Sequence, residues 1–255
     1  GSRLGTFSLK PAHDCFDLQE VLAELEKVQP GTLRFAVTGG GRVASGALEI
    51  LDATGIRQVS PESYLVDSFD HSVYTRLDPW HYTRRKDGSE FEFGHFVEHP
   101  GEYENNLHPY AGKTDVFIAS HFWDPRSPQM LTAEDFASGR FPIQLVSDIS
   151  CDIGEPIAST LRPSTIAEPF YGFDPSSGSE TDAFASNAIT VMAVDNLPGE
   201  LPRDAATDFG NALVEYVIPE VLGEKDTGML ARATITRDGG LAEPYRYLKG
   251  FLEGR

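Results

Sequence analysis

The sequence predicts an α/β fold, a doubly wound and mainly parallel sheet, and two observations carry the prediction. The first is a set of short continuous apolar runs: Leu33-Arg34-Phe35-Ala36-Val37, Asp115-Val116-Phe117-Ile118-Ala119, Ile143 to Ile149 and Ile189 to Val194. Strands buried on both faces read this way, whereas strands with one wet face alternate. The second is the passage from the first run through Thr38-Gly39-Gly40-Gly41 into a helical stretch, Val43 to Ala53, and on to Ile56 to Val59. That is a β-turn-α-β unit in about 30 residues.

The elements follow in order. Val21, Leu22, Leu25 and Val28 form an apolar helical stripe, with Asp17 as N-cap, Glu20 positioned for a capping box, and Pro30-Gly31 as the stop. After the β-turn-α-β unit, closed at Gly55, residues 60–110 are aromatic, rich in histidine and irregular, with Val73 to Leu77 as one candidate strand. Thr132 to Ala137 opens a helix, and Arg203 to Leu222 reads as a long one. No internal repeat stands out.

Composition narrows the function classes. The 255 residues suit one large or two modest domains, and 40% hydrophobic residues suffice for a core. A formal net charge of −18 argues against a nucleic-acid partner, which demands clustered Lys and Arg. Two cysteines, Cys15 and Cys151, make no disulfide framework. No apolar run is long enough for a bilayer and no signal peptide opens the chain, so no membrane partner is expected and the expected compartment is the cytoplasm.

Gly39-Gly40-Gly41-Arg42-Val43-Ala44 fits G-x-G-x-x-A. In that pattern the first glycine makes the tight turn and the second lets a pyrophosphate approach the backbone. The small third residue packs helix on strand, and the helix N-terminus offers free N–H groups to the anion. Its setting between strand and helix points to a Rossmann-type dinucleotide-binding domain. NAD-preferring sites carry an acid at the end of the second strand. Read in chain order, that strand ends Gln58-Val59-Ser60-Pro61-Glu62, without the acid unless Glu62 reaches back. Arg57 is then a candidate phosphate partner, and both NADP and NAD stay open.

More specific strings follow. Asp148-Ile149-Ser150-Cys151-Asp152, Asp195-Asn196-Leu197-Pro198 with Leu201-Pro202-Arg203, and Ile118 to Pro125 all end strands. With the loop Gly41 to Ala47 they resemble the saccharopine dehydrogenase and lysine–2-oxoglutarate reductase family, itself related to alanine dehydrogenase and transhydrogenase. The resemblance runs from about Leu33 to Leu222 and looks closest to the reductase half of the bifunctional lysine-degrading enzymes. It implies a nicotinamide-dependent oxidoreductase acting on the CH–NH group of an amino-acid-derived substrate. It also implies residue roles. Arg42 and Val43 would meet the cofactor diphosphate beside Gly39 and Gly41 of the loop, and Ser60 is a further cofactor-binding candidate. Phe122 would lie beside the cofactor and Ile149 on the nicotinamide side. Ser150, Cys151 and Asp152 would line the substrate edge. Val194, Asp195, Asn196 and Leu197 would approach the nicotinamide and its ribose. The residues read alone are also consistent with Asp152 and Asp195 as caps and Cys151 as a small buried filler.

The family's acid–base pair, a Lys and a His, belongs to an N-terminal substrate domain, and no pair here matches it. His121 and Asp195 are the remaining catalytic candidates in this chain, His121 being equally readable as a structural histidine. The expected organisation is therefore residues 1–30 as the end of a substrate-domain region with its connecting helix. Residues 31–222 form the dinucleotide domain with an insert at about 66–110, and 223–255 return to the substrate domain. On this reading the chain is a piece of a longer enzyme, inactive alone, and Tyr245, Tyr247, Leu248, Phe251 and Leu252 expose an apolar face. The expected partner is a small amino-acid substrate, with a homodimer as the assembly considered.

No metal is expected. His71, His81, His95, His99 and His108 cluster in the insert, but without an H-E-x-x-H spacing, and Pro100 ends any helix that would put His95 and His99 on one face. No G-x-S-x-G elbow and no Walker lysine is present, which disfavours an α/β-hydrolase and a P-loop NTPase. The alternatives are an alanine dehydrogenase-like enzyme and a non-catalytic dinucleotide-binding module.

Overall fold

The computed structural model describes residue 1 and residues 3–254. They fall into two compact units, Gly1–Leu201 and Pro202–Arg255.

The first unit holds the sheet. Its strands are β1 (Arg34–Thr38), β2 (Arg57–Gln58), β3 (Val73–Leu77), β6 (Val116–Ala119), β7 (Leu145–Asp148), β8 (Phe170–Asp174), β9 (Ser179–Thr181) and β10 (Ile189–Met192). A separate antiparallel hairpin pairs β4 (Thr83–Arg85) with β5 (Tyr103–Asn105). The order across the sheet is β2-β3-β1-β6-β7-β10-β8-β9. β2 through β10 pair in parallel, while β8 and β9 add an antiparallel edge. This is the mainly parallel α/β sheet that the buried apolar runs required.

Both faces of the sheet are covered. Helix α1 (Leu18–Leu25) begins at Asp17, whose carboxylate accepts the Glu20 N–H at 3.1 Å. Helix α2 (Arg42–Ala53) lays Ala44 and Leu51 on Val37, Tyr74 and Ile56. On the opposite face Ala36, Leu77, Phe117, Ala119 and Val146 join the larger core. Helix α3 (Pro61–Val66) contributes Tyr64 to that core. Adjacent residues of β1 thus serve opposite cores, as a period of two dictates.

One expectation about order fails. β2 is not the neighbour of β1: the chain first runs out to the sheet edge at β2, then returns through α3 to insert β3 between them. Val73–Leu77 is therefore a central strand rather than part of an insert. The physical reason is area. Five residues of β3 bury Val73, Tyr74, Thr75 and Leu77, whereas the two residues of β2 are both exposed.

The second unit opens with helix α4 (Pro202–Ala212), so the division falls at Leu201 rather than near Leu222. The helix read from Arg203 to Leu222 is interrupted by a π-helical turn at Leu213–Val217 before α5 (Ile218–Val221). Pro219 explains the interruption, because it lacks an N–H and its ring crowds the carbonyl one turn back. Tyr247, Phe251 and Leu252 in this unit are exposed. Among the described residues, no helix is long and apolar enough to cross a membrane.

Candidate functional site

The site is built on one edge of the sheet, where the parallel strands end in register. Leu77 pairs with Thr38, Thr38 with Ala119, and Ala119 with Asp148. The next residue along each strand is Asp78, Gly39, Ser120 and Ile149, and past β10 the chain reaches Val194 and Asp195. The chain leaves β1 toward β3 on one side and reaches β6 on the other, so a crevice opens beside β1, where doubly wound sheets take ligands. The glycine turn, Asp148 to Asp152 and Val194 to Leu197 all follow strands that end on this side.

The three glycines have three different reasons. Gly39 has φ +108°, and a Cβ there would stand 2.6 Å from the Ser120 carbonyl oxygen, so the turn needs glycine twice over. A Cβ on Gly40 would stand 2.5 Å from the Asp78 Oδ1. Gly41 has nothing within 4 Å of its Cβ position. Protein packing does not demand glycine at Gly41, and a ligand seated there would use the space. Gly41 is the N-cap of α2 and offers no side-chain cap. The first N–H groups of a twelve-residue helix are thus available to an anion. Beside them two apolar side chains face solvent, Val43 (52% exposed) and Phe122 (90% exposed). Phe122 stays exposed although an isolated globule gains by burying such a ring.

Asp148 anchors the next strand end. It is fully buried. Its Oδ1 accepts the Ser150 hydroxyl at 2.6 Å and the Cys151 N–H at 3.1 Å, and its Oδ2 accepts the Thr160 hydroxyl at 2.6 Å. These bonds hold Cys151 at φ +57°, an uncommon conformation for a residue with a Cβ. The Cys151 thiol donates to the Ala193 carbonyl at 3.2 Å. Burial, then the charges of Asp148, Asp195 and Asp152, raise its pKa, which keeps it a protonated thiol rather than a nucleophile. Burial and the neighbouring Asp148 likewise raise the Asp152 carboxyl, partly offset by a hydrogen bond from Ser150. Ile149 donates its N–H to Ala119 O, which ties this strand end to the next.

Asp195 is exposed, and among the described residues its carboxylate caps no N–H. The short helical turn that follows, Leu197–Glu200, has Asn196 as N-cap without a side-chain bond. Asp195 is thus not held by a capping role. His121 is a different case. It is 6% exposed, and its Nδ1 lies 2.7 Å from the Thr38 hydroxyl. Burial drives its pKa from 6.5 to about 4, with Asp148 opposing. The imidazole behind the glycine turn is thus held neutral, and its Nε2 has no hydrogen-bond partner among the described residues.

Sequence order also misplaced the strand that lies beside β1. The acid sought at the end of the second strand exists, because the strand beside β1 is β3 and Asp78 follows it. Asp78 is 7% exposed and its carboxylate lies over Gly40. Arg76 donates to its Oδ2 at 3.0 Å. The Asp78 N–H donates to His81 Nδ1 at 2.9 Å. These groups line a cavity of about 340 Å³ together with Gln58 and Ser60. Ser60 caps α3 by accepting the Ser63 N–H at 3.1 Å. Arg57 lies at the other end: it pairs with Val73, the first residue of β3, so it is no phosphate partner at this edge. Glu62 sits on α3 and not on a strand beside β1. The signal available in the sequence was the length of Val73–Leu77, followed directly by Asp78-Pro79.

Elsewhere the histidines pair locally. His71 Nδ1 is 2.7 Å from Asp70, and the His95 and His99 ring centroids lie 4.8 Å apart with the rings tilted at 48°. Among the described residues no group of three or more His, Cys, Asp or Glu is arranged to hold a metal ion.

Fold and edge together define a Rossmann-like α/β domain with a dinucleotide-type glycine turn. The comparisons with known proteins agree in direction. No family model matches the chain. The alpha-aminoadipic semialdehyde synthase, mitochondrial, of Mus musculus is 26% identical over 255 residues, which is 88% of this chain and 28% of that protein. The mitochondrial enzyme of Bos taurus is 26% identical over 258 residues. The alpha-aminoadipic semialdehyde synthase of Arabidopsis thaliana is 29% identical over 242 residues, 85% of this chain and 22% of that protein. The chain is thus a distant relative of these synthases and spans less than a third of their length. The relation supports a dehydrogenase family at that coarse level.

Proposed function

We propose that this chain is the dinucleotide-binding part of a nicotinamide-dependent oxidoreductase acting on the CH–NH group of an amino-acid-derived substrate, of the saccharopine or lysine plus 2-oxoglutarate type. The observation that carries the reading is the open space over Gly41 at the uncapped start of α2. The distant relation to the alpha-aminoadipic semialdehyde synthases supports the substrate class.

The residues fit the group. A diphosphate over Gly39–Gly41 would take hydrogen bonds from the first turn of α2, with Arg42 and Val43 flanking it. Phe122 and Ile149 would wall the nicotinamide end, and Val194 to Leu197 would close it. When bound, the nicotinamide supplies hydride acceptor or donor chemistry. Asp195, free of capping duty, would orient a ribose hydroxyl or a substrate ammonium. Ser150, Cys151 and Asp152 would form the substrate edge, with Cys151 as neutral lining.

The test is Gly41→Val. With no protein atom near the Cβ position, the variant should keep its Tm, and a branched side chain should block the backbone approach and abolish NADH binding measured by calorimetry. Wild-type affinity in Gly41→Val would overturn the reading.

A further inference from the structure

The dinucleotide reading above leaves cofactor choice open, and the sheet order bears on it. We infer that Asp78 selects the adenosine ribose, accepting hydrogen bonds from its free 2′- and 3′-hydroxyls, so that the site takes NAD(H) and rejects NADP(H). The inference rests on the proposed dinucleotide function and deepens it.

Three observations place a carboxylate acceptor where the ribose must sit. First, Asp78 directly follows the strand beside β1, and its Oδ1 lies against Gly40, the middle glycine of the turn. A diphosphate over the turn brings the attached ribose within reach of that oxygen. Second, the carboxylate is fixed before any ligand arrives. It is nearly buried, Arg76 holds Oδ2 at 3.0 Å, and the Asp78 backbone is locked to His81 Nδ1 at 2.9 Å. A fixed acceptor loses little entropy on binding a diol. Third, the adjoining cavity of about 340 Å³ gives the adenosine end a place beside Gln58 and Ser60.

The same arrangement disfavours a 2′-phosphate. A phosphate there would meet a carboxylate sheltered from water, and like charges so placed repel strongly. The cation nearest at hand, Arg76, is already committed to Asp78. Arg57, the other arginine that the sequence suggests, stands at the opposite end of β3. His81 accepts at Nδ1 from Asp78 N–H, so its Nε2 carries the proton in the neutral ring, a donor suited to a hydroxyl or an adenine nitrogen.

The experiment is calorimetric titration of the chain with ADP-ribose and with 2′-phospho-ADP-ribose, which separates ribose recognition from any turnover. ADP-ribose should bind at least about ten-fold more tightly. Asp78→Asn, which keeps the shape and removes the charge, should narrow the gap to within a few-fold by weakening ADP-ribose and releasing Arg76 to the phosphate. Arg76→Ala added to Asp78→Asn should reverse that gain. Equal or tighter binding of the 2′-phosphate by the unaltered chain would overturn the selection by Asp78 while leaving the dinucleotide reading intact. Binding of neither probe would overturn both.

Discussion

His121 shows how one residue's environment decides its role. Beside a strand end it is a natural candidate for proton transfer, yet the fold turns its ring inward between Thr38 and Tyr82. Burial holds the neutral form, with a pKa moved from 6.5 to about 4. The sign for stability follows from linkage. Between these values the unfolded chain takes up a proton that the folded chain refuses. Stability is therefore complete above about pH 6.5 and falls as pH drops toward 4, by about 2 kcal/mol at pH 5 from this residue. His121→Asn removes the titration, so the difference in unfolding free energy between pH 7 and pH 5, measured by urea denaturation, should shrink by about that amount. An unchanged pH slope would show that the imidazole titrates freely in the folded chain. Asp195 is the opposite case: an acid at a helix entry, legible in the sequence as a cap, that caps nothing among the described residues.

At the scale of elements, the glycine turn divides its labour. Gly39 serves the fold, while the space at Gly41 is left for the dinucleotide proposed above. Gly39→Ala forces an alanine into φ +108° and drives its Cβ within 2.6 Å of the Ser120 carbonyl oxygen. It should cost at least about 2 kcal/mol of stability by chemical denaturation, since strain of this kind alone costs about 1–3 kcal/mol. A Gly39→Ala protein as stable as the parent would show that the turn relaxes. The β1-turn-α2 unit was legible because its information is local: an apolar run, three glycines and a helical stripe within about 25 residues. The position of Asp78 was not, because it depends on which strand lies beside β1. Consecutive strands neighbour one another only about two-thirds of the time. Val73–Leu77 displaces Arg57–Gln58 by burying more side chains, a comparison that needs both strands at once. The antiparallel edge, Phe170–Asp174 with Ser179–Thr181, was missed for the same kind of reason. The hairpin buries Tyr171 and Phe173 against the sheet, and that packing is long-range information.

At the scale of the whole molecule, the excess of acid has a consequence for how a dinucleotide reaches the edge. The chain carries a formal charge of −18, and a dinucleotide diphosphate is itself an anion. Long-range electrostatics therefore oppose the encounter, even though the turn offers N–H groups and Arg42 at close range. The two effects differ in reach. Hydrogen bonds from the helix start act within contact distance and barely respond to salt, while the repulsion is spread over a Debye length of about 30 Å at 0.01 M and about 8 Å at 0.15 M. Raising ionic strength across that range should thus speed association, the reverse of the slowing seen where opposite charges steer a ligand in. The size should be near the low end of such effects, roughly ten-fold in the association rate constant, because a compact ligand samples only part of the field. Stopped-flow quenching of protein fluorescence by NADH at several salt concentrations reads it directly. The dissociation rate constant should move much less, since it reports the contacts in the crevice. An association rate that falls with salt would mean that local cations at the edge, Arg42 and Arg76 first among them, outweigh the distributed charge. The acidic surface would then have no part in controlling access to the crevice.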